Sequence, residues 1–592
     1  MKFLYVLGVV WALVSGAWAL DREAFTIAKY DLQITLEPGQ QRLGARGKIT
    51  LRNDSAQPQR IVALQISSSL NWRSIRVDSK PVQFVSQPYI SDIDHTGALS
   101  EAIVTLPAEI KPKDSVELEI GYEGVIPRDT TRLTRIGVPE EIAKHSSWDQ
   151  IGRSFTAVRG AGYVAWYPIT TESADFSEGN SLFEVADRWK AREAGSELKV
   201  QFSYLETRAD VLPSLLCGVE HGYHGRNVST NAEAVRWESA MSCLWSPLGT
   251  VTPTFVIARY VSPKQAQFGL HSFPGHEAGA ATYSNAYDPA TKFVTGWFGW
   301  YSGNVEVADL ADPNSAPFES GTLLLVSLAA EDSNLAGINL VHELVHSRLP
   351  SSRPWVYEGL AHFAEAMYRQ EQGGRQAALD LLGLHRAAFL DSEKEVSAAP
   401  QKDVGQKVVE QKTVGQPLAS TFDETYYRSK AAYVWWMLRD MVGDDALKQA
   451  IGKYRAEDDK DKDPKYVERL IESAAKRDLG WFFDDWVYQD RGLPDFHVQS
   501  VHPWTTEKGV QFITVTLENL GNAGAEVPFT ILFEGGEITK RIEVRAKGTA
   551  TTRVELPGTA SEIVVNDGSV PESDLTNNVF QIGGQQEVKS QK

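Results

Sequence analysis

From Tyr30 onward, apolar and polar residues alternate in short runs: YDLQITLE, GKITLRN, QRIVALQIS, EAIVTLP and VELEIGYEG. Turn residues and Pro separate the runs, and period-two alternation between such breaks predicts strands with one face toward a core. The pattern continues, with interruptions, to PTFVIARY ending at Tyr260. That is too much strand for one small sandwich, so an extended β domain is expected over 20–262. Around residue 263 the period changes, and apolar residues recur at helical spacing to about Val487. Asp332 or Ser333 is placed to cap a helix running through HELVH to Leu349, with Pro350 beyond it. Pro354 suits the first turn of the next helix, which Gly373-Gly374 would end. Gly443 would stop a helix beginning near Tyr427, Asp444 would cap its successor, and Asp478 would cap the helix LGWFFDDWVY. The polar stretch 392–422 reads as a loop. From Asp495 the alternation returns in VQFITVTLENLG, VPFTILFEGG, TKRIEVRA, TATTRVELP and EIVVND. These strands predict a small antiparallel β-sandwich of immunoglobulin-like type over 495–582, followed by a polar tail at 583–592.

Composition narrows the class. A chain of 592 residues is too long for one core, which predicts three or four domains. With 42% hydrophobic and 23% charged residues it is globular. A net charge of −18 argues against nucleic acid or an anionic membrane surface as a partner. Lys2, the apolar run from Phe3 to Gly16 and the small residues of Ala17-Trp18-Ala19 predict a signal peptide over 1–19, cleaved near Ala19. The mature chain is then expected to be secreted or periplasmic, and no later segment is long and apolar enough to cross a bilayer. Cys217 and Cys243 could pair, adding about 3 kcal/mol by closing a loop, or stay buried as thiols. Neither has the CxxC partner expected of a zinc ligand.

The chemistry centres on AGINLVHELVH, residues 336–346. His342 and His346 are four residues apart, so on a helix both imidazoles stand on one face and reach one ion. Glu343 lies beside them, placed to take a proton from a water activated by one Zn2+. A catalytic zinc needs a third protein ligand. Glu358 and Glu365 in WVYEGLAHFAE, seven residues apart, share a face with His362 and are the candidates.

HELVH followed by Trp355-Val356-Tyr357-Glu358-Gly359-Leu360-Ala361 resembles the gluzincin aminopeptidases of the aminopeptidase N type. Their pattern is HExxH followed by W-x-x-E-G-x-A. The resemblance implies that Glu358 is the third ligand and that Glu365 lies behind it. Eleven residues separate His346 from Glu358, where the family usually has eighteen. Ala316-Pro317-Phe318-Glu319-Ser320-Gly321 stands where the family has G-x-M-E-N, which implies that Glu319 holds the free α-amino group of the substrate. Phe and Ser replace the Met and Asn. Tyr426-Tyr427-Arg428-Ser429-Lys430 resembles the family's Y-x-K-G-A segment, whose Tyr donates to the tetrahedral oxyanion. Alignment on Lys430 puts Arg428 at the Tyr position; Tyr427, one residue earlier, is assigned the role, with Tyr426 the alternative.

The similarity is diffuse elsewhere between about residues 25 and 495. It implies a multidomain α+β chain: a β-saddle-like N-terminal domain, a thermolysin-like zinc domain with a helical extension over 263–494, and the C-terminal sandwich, whose partner the sequence does not indicate. The implied activity is zinc-dependent hydrolysis of peptide or protein substrates by removal of N-terminal residues. An endopeptidase without amine recognition, or a catalytically silent scaffold, are the alternatives.

Overall fold

The computed structural model describes residues 20–582 apart from 179–180, 207–213, 220, 232–233, 247, 263–267, 300–304, 330–331, 399–415, 422, 457, 459–462 and 508. The expected signal peptide and polar tail lie outside the described residues. Alternation in the first region produces an eight-stranded mixed sheet. Its strand Phe25–Glu37 pairs antiparallel with Arg42–Asn53 and parallel with Glu197–Glu206. Tyr30, Leu32, Ile34 and Leu36 are buried at every second position, as a half-buried strand requires. Two three-stranded sheets accompany it: one of Gln59–Ser67, Ala98–Ile110 and Phe84–Ile90, the other of Ser214–Leu216, Phe255–Ala258 and Phe155–Val158. The run of strands is interrupted by the helix Ser181–Arg192, which buries Leu182, Val185, Ala186 and Trp189 at helical spacing. Cys217 and Cys243 form a disulfide.

A four-stranded sheet follows, in the order Gly269–His271, Glu306–Asp309, Leu323–Val326, Phe318–Ser320. The last strand is antiparallel and lies at the edge. This sheet lies in the region whose apolar residues read mainly at helical spacing from residue 263. Four-residue apolar strands such as Leu323–Val326 are too short to display a period that separates strand from helix. The helix Glu277–Phe298 joins the first two of these strands, and the HELVH helix spans Ser333–Arg348. Asp332 caps the latter by accepting from the backbone N–H groups of Asn334 and Leu335, each at 3.0 Å.

The next helical run is Pro354–Ala398, broken at Gly374 with φ 78°. The glycine pair thus ends the first helix, as expected, and a second helix follows directly; residues 392–398, expected as loop, continue that second helix. Most of the remaining loop expectation, 399–415, lies outside the described residues. A π-helix, Thr425–Lys430, leads into the helix Ala431–Val442, which Gly443 stops at φ 82°. Asp444 is the first residue of the helix Asp444–Lys453 and not its cap.

The C-terminal strands form a three-stranded sheet (Phe496–Thr505, Gln511–Asn519, Thr549–Leu556) and a four-stranded sheet (Gly536–Val544, Ala525–Phe533, Ala560–Val565, Val579–Gln581). Ile513, Val515 and Leu517 of one and Val527, Phe529 and Ile531 of the other are fully buried in a single hydrophobic cluster. That cluster also includes the helices around HELVH, so the C-terminal sheets share a core with the central region. Trp486 ties the two by donating its indole N–H to the Gly524 carbonyl at 2.8 Å. The protein is therefore a mixed α and β structure with several sheets. No helix among the described residues is long and apolar enough to cross a membrane.

Candidate metal centre

The HELVH helix presents His342 and His346 on one face, one turn apart, with ring centroids separated by 4.5 Å. The helix beginning at Pro354 brings Glu358 toward them. Glu358 Oε2 lies 4.0 Å from His342 Nε2, and Glu358 Oε1 lies 3.9 Å from His346 Nε2. The edge strand Phe318–Ser320 brings Glu319 from the other side, 3.1 Å from His342 Nε2 and 3.7 Å from His346 Nδ1. One ligand atom from each of Glu319, His342, His346 and Glu358 lies within 4.8 Å of the others. Glu365 sits behind this cluster, with Oε1 2.6 Å from His342 Nδ1 and Oε2 3.1 Å from His362 Nδ1. A carboxylate there accepts a hydrogen bond from Nδ1–H, which leaves His342 Nε2 facing the cluster as the nitrogen that could bind a cation.

Do these residues fit a metal ion? The buried Nε2 atoms of His342 and His346, Glu358 Oε2 and both carboxylate oxygens of Glu343 have no aligned hydrogen-bond partner. Such atoms are costly in a protein interior unless a ligand satisfies them. Two imidazoles and carboxylates are also the donor set zinc takes, at about 2.0–2.2 Å each. Three carboxylates (Glu319, Glu358 and Glu365) converge on the imidazoles, a charge that a divalent cation balances. The residues fit zinc.

The electrostatics are strongly perturbed. Burial disfavours a charged His342, yet Glu319 and Glu365 outweigh it and hold its pKa well above the ordinary value. Burial brings His346 down to about 4. Burial would raise Glu365, but His362 and His342 hold it below the usual carboxylate range. Burial and the neighbouring Glu319 push Glu343 well up.

The cluster opens onto a cavity of about 490 Å3 lined by Glu319, His342, His346, Tyr357, Glu358, Tyr427 and Arg428, among others. Its far wall comes from the N-terminal region and includes Tyr163, Asp187 and Lys190. Tyr427 lines the cavity, but its hydroxyl lies 3.4 Å from Asp187 Oδ2 on that far wall. Tyr426 is buried with its ring against Phe389. Arg428 stands at the cluster itself, with Nε 3.1 Å from Glu358 Oε2 and Nη1 3.2 Å from Glu424 Oε1. Burial raises Asp187 to about 6, with Lys190 opposing.

His342, His346, Glu358 and Glu319 are thus brought together, and Glu343 is buried on the same helix. His362, on the face shared by Glu358 and Glu365, lies between the rings of His342 and His385, at 4.8 and 4.7 Å. Tyr357 stacks flat on the His346 ring at 3.8 Å and was missed, although it precedes Glu358 in the WVYEG motif. Asp187 and Lys190 carry no sequence signal, because they reach the cavity from a helix inside a region that reads as strands.

No family model and no curated protein sequence matches the chain. In structure the chain is similar to Legionella pneumophila aminopeptidase A, a protein solved in complex with aspartic acid, at a TM-score of 0.56 and 13% identity. That similarity covers 93% of this chain and 59% of the Legionella chain. A mutant M1 zinc metallopeptidase from Deinococcus radiodurans overlaps 80% of this chain and 96% of its own at 14% identity, with a TM-score of 0.45. At such low identity the first similarity shows one thing, a fold shared with the Legionella protein over most of this chain.

Proposed function

We propose that this chain is a zinc-dependent peptidase that removes N-terminal residues from peptide or protein substrates. The observation that carries the proposal is the convergence of Glu319, His342, His346 and Glu358 on the wall of a cavity large enough for a peptide end. His342, His346 and Glu358 would hold one zinc ion. When bound, zinc supplies Lewis-acid chemistry, polarising a carbonyl and making water a stronger acid. Glu343, on the same helix, takes the proton of the attacking water and delivers it to the leaving amine. Glu365 holds His342 in the tautomer and orientation that coordination needs. Glu319 offers a carboxylate to the substrate's α-ammonium group, which fixes the first peptide bond next to the attacking water.

Glu319 also favours a second reading, because it lies as close to the histidines as Glu358 does. Four protein ligands would close the site, as in structural zinc centres. The test compares an aminoacyl-arylamide with its N-acetylated form, together with zinc content, for wild type, Glu343→Gln and Glu319→Ala. An N-terminal peptidase hydrolyses only the free-amine compound. Chelation abolishes that activity and added zinc restores it. Glu343→Gln keeps zinc and loses about 10²–10⁴-fold in rate, and Glu319→Ala keeps zinc while KM rises. Equal turnover of both compounds means an endopeptidase. Zinc lost in Glu319→Ala, with no hydrolysis in wild type, means a closed structural site.

The further organisation is proposed with it: a β-saddle-like domain over 20–262, a thermolysin-like domain over 263–494 and an immunoglobulin-like sandwich over 495–582. The Cys217–Cys243 bridge supports an oxidising compartment, in line with a signal peptide over 1–19 and a secreted or periplasmic chain.

A further inference from the structure

When water adds to a peptide carbonyl, the C=O electron pair moves onto oxygen, and a fast site presents a fixed donor to that oxygen. We propose that Arg428, not Tyr427, is this donor; the inference rests on the hydrolytic reading above. Among the described residues, two cationic side chains of Lys or Arg line the cavity, Lys190 and Arg428. Lys190 is drawn to Asp187 at 3.4 Å on the far wall. Arg428 stands at the histidine–glutamate cluster: its Nε is 3.1 Å from Glu358 Oε2, an oxygen itself 4.0 Å from His342 Nε2. The Tyr427 hydroxyl is turned to Asp187.

The guanidinium is held ready. Glu358 Oε2 lies 3.1 Å from its Nε and Glu424 Oε1 3.2 Å from its Nη1, so two carboxylates hold the charge at the cavity wall while the side chain stays 38% exposed. A guanidinium carries five N–H donors in a rigid fork, and engagement by two carboxylates leaves others for a substrate oxygen. Lys430, two residues on in the π-helix, is fully buried against Asp490 at 2.8 Å, while Arg428 lines the cavity. In the step itself, a bond forms between the water oxygen and the carbonyl carbon while Glu343 takes the proton. The displaced pair sits on the carbonyl oxygen under the hydrogen bond from Arg428. Its return breaks the C–N bond, and the proton on Glu343 goes to the amine. Arg428 donates throughout and loses no proton.

The test measures zinc content, melting temperature, kcat and KM for wild type, R428Q, R428A, R428K, Y427F and Y357F, on the full chain with a free-amine arylamide. R428Q and R428A should keep zinc and melting temperature and lose about 10²–10³-fold in kcat, with KM changed far less. R428K should fall between, and added guanidinium ion should restore part of the kcat of R428A. A loss in R428Q that follows zinc content and returns with added zinc overturns the inference, since Arg428 would then only brace Glu358. A kcat loss in Y427F or Y357F, with R428Q unaffected, also overturns it and assigns a tyrosine. Wild type that binds zinc yet hydrolyses no peptide overturns the hydrolytic reading itself, and this inference with it.

Discussion

Lys430 and Asp490 have no exposed side-chain surface, and their charges meet at 2.8 Å. The rings of Phe389, Tyr426 and Trp486 lie 5.5 to 5.8 Å from the ammonium, so the surroundings of the pair are largely apolar. In such surroundings mutual attraction must offset the desolvation of both groups, and removal of one strands the other. Lys430→Met should therefore destabilise the protein by about 3–5 kcal/mol, measured by urea unfolding. Lys430→Met combined with Asp490→Leu should cost less than the single change, because no buried charge remains. If single and double variants lose the same stability, the pair has no specific energy and the loss is one of packing alone. The sequence presents Lys430 only as an alignment anchor for a tyrosine. Its partner lies far along the chain, and nothing local to either residue announces the pairing.

The elements around the site differ in how far the sequence discloses them. The HELVH helix is legible because its cap, Asp332, its apolar spacing and the two histidines agree, and the choice of Glu358 over Glu365 follows from the local WVYEG motif. In the structure Glu358 faces both Nε2 atoms, while Glu365 faces Nδ1 of His342. The edge strand carrying Glu319 is too short to show a period, and the π-turn at Thr425–Lys430 depends on packing rather than propensity. That turn is where the tyrosine register slips and Arg428 takes the cavity side.

Gly359, next to Glu358, shows how closely these elements meet: a Cβ there would lie 2.6 Å from the Ala431 Cβ and 3.0 Å from Trp435 Cδ1. Gly359→Ala should force the Glu358 helix away from Ala431–Val442, cost about 1–3 kcal/mol and weaken zinc binding. Ala431→Gly in the same chain removes the facing methyl and should recover part of both. Absence of any recovery would place the defect in the backbone of Gly359 instead.

At the scale of the whole molecule the cavity is a joint product, with Glu319, the histidines and Arg428 on one side and Tyr163, Asp187 and Lys190 on the other. The contact between the two regions runs past the disulfide. Cys217 is followed by Gly218, whose carbonyl accepts from Thr322 N–H at 2.8 Å. The backbones press so close that a Cβ on Gly218 would lie 1.9 Å from the Ser320 carbonyl oxygen, and one on Gly321 would lie 2.2 Å from that of Gly218. The bridge to Cys243 therefore braces the turn that follows Glu319. Two cysteines with no spacing signal between them left pairing undecided in the sequence, and only the fold brings their Cα atoms to 6.3 Å.

Closing a loop with a sequence separation of 26 contributes about 3.5 kcal/mol by chain entropy. Cys217→Ser with Cys243→Ser should lose roughly that stability. If the bridge also positions Glu319, KM for a free-amine arylamide should rise in the double variant, well below its melting temperature, with a smaller change in kcat. Thiol reduction of wild type should reproduce both effects. A fall in stability with KM unchanged would confine the bridge to holding the fold, and would mean that the Gly218 contact positions Glu319 without covalent help.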